Sequence, residues 1–206
     1  MIQILGRPNS VNVQKVMWSA AEIGISVDRH DIGGAFGGND TADYLSKNPN
    51  GRVPTLVDGD FILWESNAIV RYLSEAHGAS PWFPDSLEER ALCNQWMDWY
   101  ISTLHPSMTV IFWQLIRTPD KDRDYAGLAA AIEEAGLFWA MLDKHLANHA
   151  FVVGDDLTMG DVPLGCAAYR WHSMEIARPD LPNLKRWWQS LAARDAYKQH
   201  VMLPLT

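Results

Sequence analysis

Two runs of strand-forming residues, Val53-Pro54-Thr55-Leu56-Val57 and Asp60-Phe61-Ile62-Leu63-Trp64, meet at Asp58-Gly59, and that junction constrains the fold more than any other segment. Asp-Gly tolerates the positive φ angles of a tight type I′ turn, so the runs are predicted to pair as an antiparallel hairpin. Upstream, Ile2 to Leu5 is a short apolar run closed by Gly6 and Pro8, which reads as a strand entering a turn. Val13, Val16, Met17, Ala20, Ala21 and Ile23 then recur at helical spacing until Gly24 stops them. Residues 26–32 read as a second strand, a glycine-rich loop follows, and residues 41–46 read as a short helix. Beyond the hairpin, Ala68, Ile69, Tyr72, Leu73 and Ala76 form an apolar stripe ending near His77-Gly78. The predicted order is βαβα followed by ββα.

Beyond residue 78 the character changes. Pro81 and Pro84 with polar flanks mark 79–86 as a linker, although Trp82 and Phe83 suggest that it is packed down. From residue 87 to 206 only helical periods appear: a long helix over 87–117 that Pro106 is expected to kink, then 125–149, 158–176 and 184–197. The expected architecture is a small α/β domain (1–78) with a thioredoxin-like arrangement of strands and helices, a linker (79–86) and an all-α domain (87–206).

Composition removes several function classes. Lysine and arginine number 17 against 25 acidic residues, a net charge of −8, and no basic run appears. A nonspecific phosphate-binding surface has no electrostatic support, so nucleic acid is not an expected partner. The two cysteines, Cys93 and Cys166, stand far apart, outside any C-x-x-C pair or zinc-ligand comb, so neither a metal nor a disulfide framework is expected. No run approaches the roughly 18 apolar residues of a membrane span, and the start lacks a signal-peptide layout. The expected location is the cytoplasm, with no membrane partner.

Four segments carry a resemblance to a known family: Asn9-Ser10-Val11-Asn12 after the first strand, Asn48-Pro49-Asn50-Gly51-Arg52-Val53-Pro54-Thr55-Leu56 before the hairpin, Glu65-Ser66-Asn67-Ala68-Ile69 opening the third helix, and Thr158-Met159-Gly160-Asp161 in the helical half. In this order and at these separations the chain resembles the cytosolic glutathione S-transferases, and within them the bacterial, theta-like members that use serine where other classes use tyrosine. The resemblance covers nearly the whole chain. It implies the glutathione S-transferase fold, glutathione as cosubstrate, no metal, a small hydrophobic electrophile as second substrate, and a homodimer.

The chemistry implied is activation of a thiol without cysteine, histidine or metal. Ser10 stands where a strand hands over to a helix N-terminus, whose unsatisfied N–H groups and positive dipole end favour an anion. Lowering a thiol by about two units from ~8.5 requires about 2.7 kcal/mol. One hydroxyl donor to a thiolate contributes roughly 1.5 to 3 kcal/mol, and the helix terminus about 0.3 to 2. Read from its own segment alone, Ser10 is a plain N-cap, since serine is a favoured cap; through the resemblance it becomes the thiolate donor, with Asn12 as helper, and the two are not ranked.

The resemblance also implies a cis bond at Val53-Pro54, freeing the Val53 backbone to pair with the peptide's cysteinyl unit like an added strand. Ser66 would cap the third helix and hold the glutamyl carboxylate, Glu65 would accept from the ammonium, and Arg52 would attract the glycyl carboxylate. Pro106, Thr109, Val110 and Trp113 fall where relatives wall the electrophile pocket. Thr158 and Asp161 form a capping box that serves folding, and His105 reads as structural. The implied reaction is attack by the thiolate on an electrophile, or reduction of a hydroperoxide or disulfide. A noncatalytic ligand carrier or interaction scaffold with the same fold is the alternative.

Overall fold

Four short strands and nine helices follow one another in a computed structural model that describes all residues, 1–206. Strand β1 (Gln3–Leu5) enters helix α1 (Val11–Ile23), which Gly24 ends with φ +81°, its N–H closing on the carbonyls of Ala20 and Ala21. Strand β2 (Asp28–His30) follows, and helix α2 (Ala42–Lys47) is capped by the Thr41 hydroxyl, which accepts from Tyr44 N. Strands β3 (Thr55–Asp58) and β4 (Phe61–Trp64) form the hairpin, and helix α3 (Ser66–His77) closes the first half. The sheet order is β2-β1-β3-β4, with β1 parallel to β2 and the other pairs antiparallel.

The hairpin turn lies one residue later than Asp58-Gly59. Asp58 pairs with Phe61, so the two-residue loop is Gly59-Asp60, and only Gly59 has positive φ, +60°. A positive φ at the first central position alone is the pattern of a type II′ turn, which demands glycine there.

The helical half begins with α4 (Leu87–Trp99), capped by the Ser86 hydroxyl, and runs through a π turn at Tyr100–Leu104 into α5 (His105–Phe112), with a second π turn at Trp113–Arg117. The expected helix over 87–117 is thus one run, and Pro106 does not break it. Proline has no N–H and its ring crowds the carbonyl one turn back; the wider turn just before it makes that room. Helices α6 (Tyr125–Leu146) and α7 (Asp161–Ser173) follow. The helix expected over 184–197 is two, α8 (Pro182–Ala192) and α9 (Asp195–His200), because the extended Arg194 separates them.

One apolar core runs through both halves. Ile4, Val13, Val16, Leu56, Ile69 and Leu73 fill the space between sheet, α1 and α3, and α1 also packs on α7 and α9. There Trp18, fully buried, meets Tyr197 edge to face at 4.8 Å, and Tyr197 Oη donates to the Gly165 carbonyl at 2.7 Å. Gly165 has no room for a side chain: a β-carbon would stand 2.8 Å from the Trp18 ring and 2.9 Å from Leu191 Cδ1. Gly165→Ala is expected to cost about 1–2 kcal/mol net, overpacking outweighing the better helix propensity of alanine; a denaturation midpoint equal to or above wild type would contradict this packing account.

The segment between the halves is held from both sides. Trp82 Nε1 donates to Ser74 Oγ at 2.9 Å, and Met159 N donates to the Trp82 carbonyl at 3.1 Å. The Ser80-Pro81 bond there is cis. At the start of α7, Asp161 reaches back to Thr158 N and Oγ1, at 3.0 and 3.2 Å, while Gly160 N donates to the Thr158 hydroxyl. Gly160 stands at the cap position, yet the reciprocal bonds are those of a capping box drawn into a tighter first turn.

Candidate active site

A cleft of about 500 Å³ opens between the start of α1 and the face of α5. Ser10 occupies the N-cap position of α1 with extended backbone, but its side chain makes no capping bond. The hydroxyl has no hydrogen-bond partner within the chain, and the residue lines the cleft at 8% exposure. A plain cap would spend that hydroxyl on the helix; here it is left free at the positive end of the helix dipole.

Asn12 lines the same cleft, and its amide is oriented by what lies behind it. Asn12 Oδ1 accepts from Lys15 Nζ at 3.0 Å and from Ser66 Oγ at 3.3 Å, which leaves the NH₂ group as the end with no partner in the chain. Lys15 is fully buried, donates also to Ser66 Oγ at 3.4 Å, and lies 4.6 Å from the centre of the Tyr100 ring. Burial brings its pKa down to about 8, with the Arg170 charge adding to the fall and the Cys166 and Glu65 side chains opposing it. The ammonium therefore still carries its proton at neutral pH.

The Asn48–Gly51 motif explains how Val53 reaches the cleft. Asn48 Oδ1 accepts from Asn50 N at 3.1 Å in an Asx turn, and Asn48 Nδ2 and Tyr44 Oη both donate to the Arg52 carbonyl, at 2.7 and 2.6 Å. Those anchors set the chain just before Val53, whose bond to Pro54 is cis and whose own N–H and C=O are unpaired. Gly6 permits the close approach, since a β-carbon there would fall 3.2 Å from Val53 Cβ and 2.5 Å from Val13 Cγ2.

Ser66 differs from expectation. The capping position of α3 is held by Glu65, whose φ of +74° is the only positive value outside glycine, and Ser66 is the first helical residue. The Ser66 hydroxyl is drawn toward Asn12 and Lys15, so it does not serve as a cap. Neither Glu65, Ser66 nor Pro54 lines the cleft itself, whereas Ser10, Asn12, Arg52 and Val53 do.

On the α5 side, Thr109 and Trp113 line the cleft and Pro106 and Val110 do not. The lining residues His105, Thr109, Phe112 and Trp113 recur at the i, i+4, i+7, i+8 spacing of a single helix face, and Pro106 and Val110 fall on the next row. Trp113 is 58% exposed, the most open of the aromatic stripe. His105 bonds Tyr100 Oη through Nδ1 at 3.0 Å, and burial brings its pKa down to about 4, helped by the Lys15 and Arg170 charges, so the ring is neutral at physiological pH.

Three charged residues of the lining have no counterpart among the sequence expectations: Arg7, Arg117 and Arg170. They come from the turn before α1, the end of the second π turn and the last turn of α7. In the sequence they are far apart, so no basic run announces them. The one available signal is that Arg170 completes an i, i+4 row with Val162 and Cys166, both fully buried.

A thioredoxin-like sheet with a cleft at the start of its first helix, walled by a helical domain, defines the architecture of a glutathione-dependent transferase. The chain belongs to the glutathione S-transferase family. The model of the glutathione S-transferase N-terminal domain matches residues 2–75 and that of the C-terminal domain matches 104–195. Glutathione S-transferase GstB of Escherichia coli is 39% identical over 208 residues, all of both chains, and glutathione S-transferase D7 of Drosophila melanogaster is 30% identical over 87% of this chain and 78% of its own. The crystal structure of the theta class enzyme from Xanthomonas axonopodis pv. citri, with glutathione bound, superposes with a TM-score of 0.96 at 47% identity, covering all of this chain and 99% of the other.

Proposed function

We propose that the cleft binds glutathione in extended form, lowers the pKa of its thiol, and presents the thiolate to an electrophilic carbon on the α5 side. The single observation behind this reading is the unpaired Ser10 hydroxyl at the start of α1, beside an Asn12 amide whose oxygen is already held by Lys15 and Ser66. Two donors, one hydroxyl and one amide N–H, converge where a sulfur would sit at the helix terminus. The free N–H and C=O of Val53 suit the cysteinyl unit, and the N–H of Ser66 at the start of α3 suits the glutamyl carboxylate, with Glu65 as partner for the ammonium. Arg52 and Asn39 both line the cleft and would suit the glycyl carboxylate.

In this reading residues 1–78 hold the peptide, 79–86 connect, and 87–206 supply the wall against which the second substrate lies; the working form is a homodimer. Conjugation is the reaction of the family, and turnover of an aryl halide, an organic hydroperoxide and a small disulfide side by side would assign the reaction type. Calorimetry with glutathione is expected to give a single-site isotherm, and the complex is expected to show thiolate ultraviolet absorbance at neutral pH. Binding without that absorbance would reject thiol activation and favour a noncatalytic carrier; no heat at all would reject the site.

A further inference from the structure

The cleft carries a charge that the glutathione reading does not use. Four arginines line it, Arg7, Arg52, Arg117 and Arg170, and no aspartate or glutamate does, in a chain whose net charge is −8. None of the four is in an ion pair or a hydrogen bond through its side chain, whereas Arg29, Arg71, Arg123 and Arg194 are each paired with a carboxylate. Arg170 is the least compensated: its Nε is buried without any partner, and its guanidinium stacks 3.9 Å from the centre of the Phe112 ring, with Arg117 at 5.7 Å from the same ring.

The three arginines other than Arg52 form one group. Burial and then the Arg117 charge lower the pKa of Arg7, and Arg170, lowered by burial to about 10, feels both Arg117 and Arg7. Like charges held together in a partly buried wall are costly unless an anion joins them. Glycine makes space for the arrangement, since a β-carbon on Gly34 would fall 2.9 Å from Arg7 Cδ. Lys15 lies behind, and His105 beside them is neutral, so neither group supplies a negative partner.

Glutathione has two carboxylates and the thiolate, and the reading above assigns each a partner: Arg52 and Asn39, the N-terminus of α3, and Ser10 with Asn12. Arg7, Arg117 and Arg170 remain, the latter two on the helical half that walls the second substrate. We propose that this cluster recognises an anionic electrophile, a small molecule bearing a carboxylate, and that Arg170 and Arg117 determine that specificity, with Phe112 and Trp113 packing on its apolar body. Planar guanidinium groups bind carboxylates through paired N–H bonds, and a site that is partly desolvated strengthens them. The inference rests on the glutathione-transferase reading and adds the chemical class of its second substrate.

The reaction tested is displacement at an aromatic carbon. The thiol proton goes to water on ionisation, a carbon–sulfur bond forms, the carbon–chlorine bond breaks, and chloride leaves with the bonding pair, so nothing is oxidised or reduced. The probes are 4-chloro-3-nitrobenzoate and 4-chloro-3-nitrobenzamide, near-isosteres that differ in charge. The readout is the ratio of their kcat/KM values at saturating glutathione, each divided by its uncatalysed rate, so that a general loss of fold or of glutathione binding cancels. The wild-type ratio is expected to favour the benzoate by about 10- to 100-fold, the span of a charge-assisted hydrogen bond. Arg170→Met, which keeps packing volume against Phe112, and Arg117→Gln, at the cleft rim, are each expected to cut the ratio by about 10-fold, chiefly through KM for the benzoate. A wild-type ratio near one, or variants that leave the ratio unchanged while raising KM for glutathione, would overturn the proposal and give the arginines to the peptide. No turnover of either probe with glutathione binding intact also counts against it. Absence of glutathione binding by calorimetry marks failure of the underlying reading instead.

Discussion

Ser10→Ala is expected to raise the pKa of the bound thiol by about one to two units and to lower kcat at neutral pH roughly 10- to 100-fold, while leaving stability within about 0.5 kcal/mol of wild type. The separation of the two effects follows from the local structure. A serine acting as a helix cap would cost about 1 kcal/mol when replaced by alanine. The Ser10 hydroxyl makes no capping bond, so the helix loses nothing, and only a ligand at the cleft registers the change. The thiolate band of the glutathione complex, followed against pH, checks the first part; a denaturation curve checks the second. A variant with an unshifted thiol pKa and a lowered midpoint would show that Ser10 caps after all. Asn12→Ala is a less clean experiment, because it also removes an acceptor from the buried Lys15 ammonium.

The largest loss of stability is expected at Asp161. Its carboxylate, fully buried, accepts from Val152 N at 3.0 Å and Trp187 Nε1 at 2.9 Å through Oδ1, and from Thr158 N and Oγ1 through Oδ2. It thus ties the 150s loop, α7 and α8 at one point. Asp161→Ala strands these buried donors and is expected to cost about 3–5 kcal/mol, a large share of the 5–15 kcal/mol typical of a folded chain. Asp161→Asn keeps an acceptor for Val152 and Trp187 but turns an amide toward Thr158, so its loss should fall between. Refolding yield and denaturation midpoint give the order, Asp above Asn above Ala; equal stability of all three would refute the role.

The same residue has a pH signature. Burial pushes the Asp161 carboxyl up to about 6 from 3.8, against the pull of its donors. An acid whose folded pKa is raised contributes stability that is fully present below about 3.8 and lost as pH rises through about 6. The difference in unfolding free energy between wild type and Asp161→Asn should therefore change across that window, by up to about 3 kcal/mol.

What could be read from the sequence was local. The strands, the glycine-stopped α1 and the motifs around Ser10, Val53 and Glu65 are set by neighbours within a few residues, and the sequence carries them openly. The hairpin turn slipped by one position because both Asp58-Gly59 and Gly59-Asp60 are turn-forming pairs, and only cross-strand pairing decides between them. The break between α8 and α9 has no glycine or proline to announce it. The left-handed backbone of Glu65 was equally silent, since nothing in a glutamate calls for φ of +74°. Least legible was the arginine wall, built from the turn before α1, the end of a π turn and the last turn of α7. Arg170 and Lys15 are cations on otherwise apolar helix rows, and that mismatch of residue and row was the only trace they left.

Trp82, clasped by Ser74 on one side and by Met159 on the other, makes the segment between the halves a seam and not a hinge. Were a protease to cut there, neither fragment would own a finished surface: Trp18 would lose Tyr197 and Gly165, and the face of α7 would be stripped bare. The two pieces should stay clasped after nicking and come apart only when both melt.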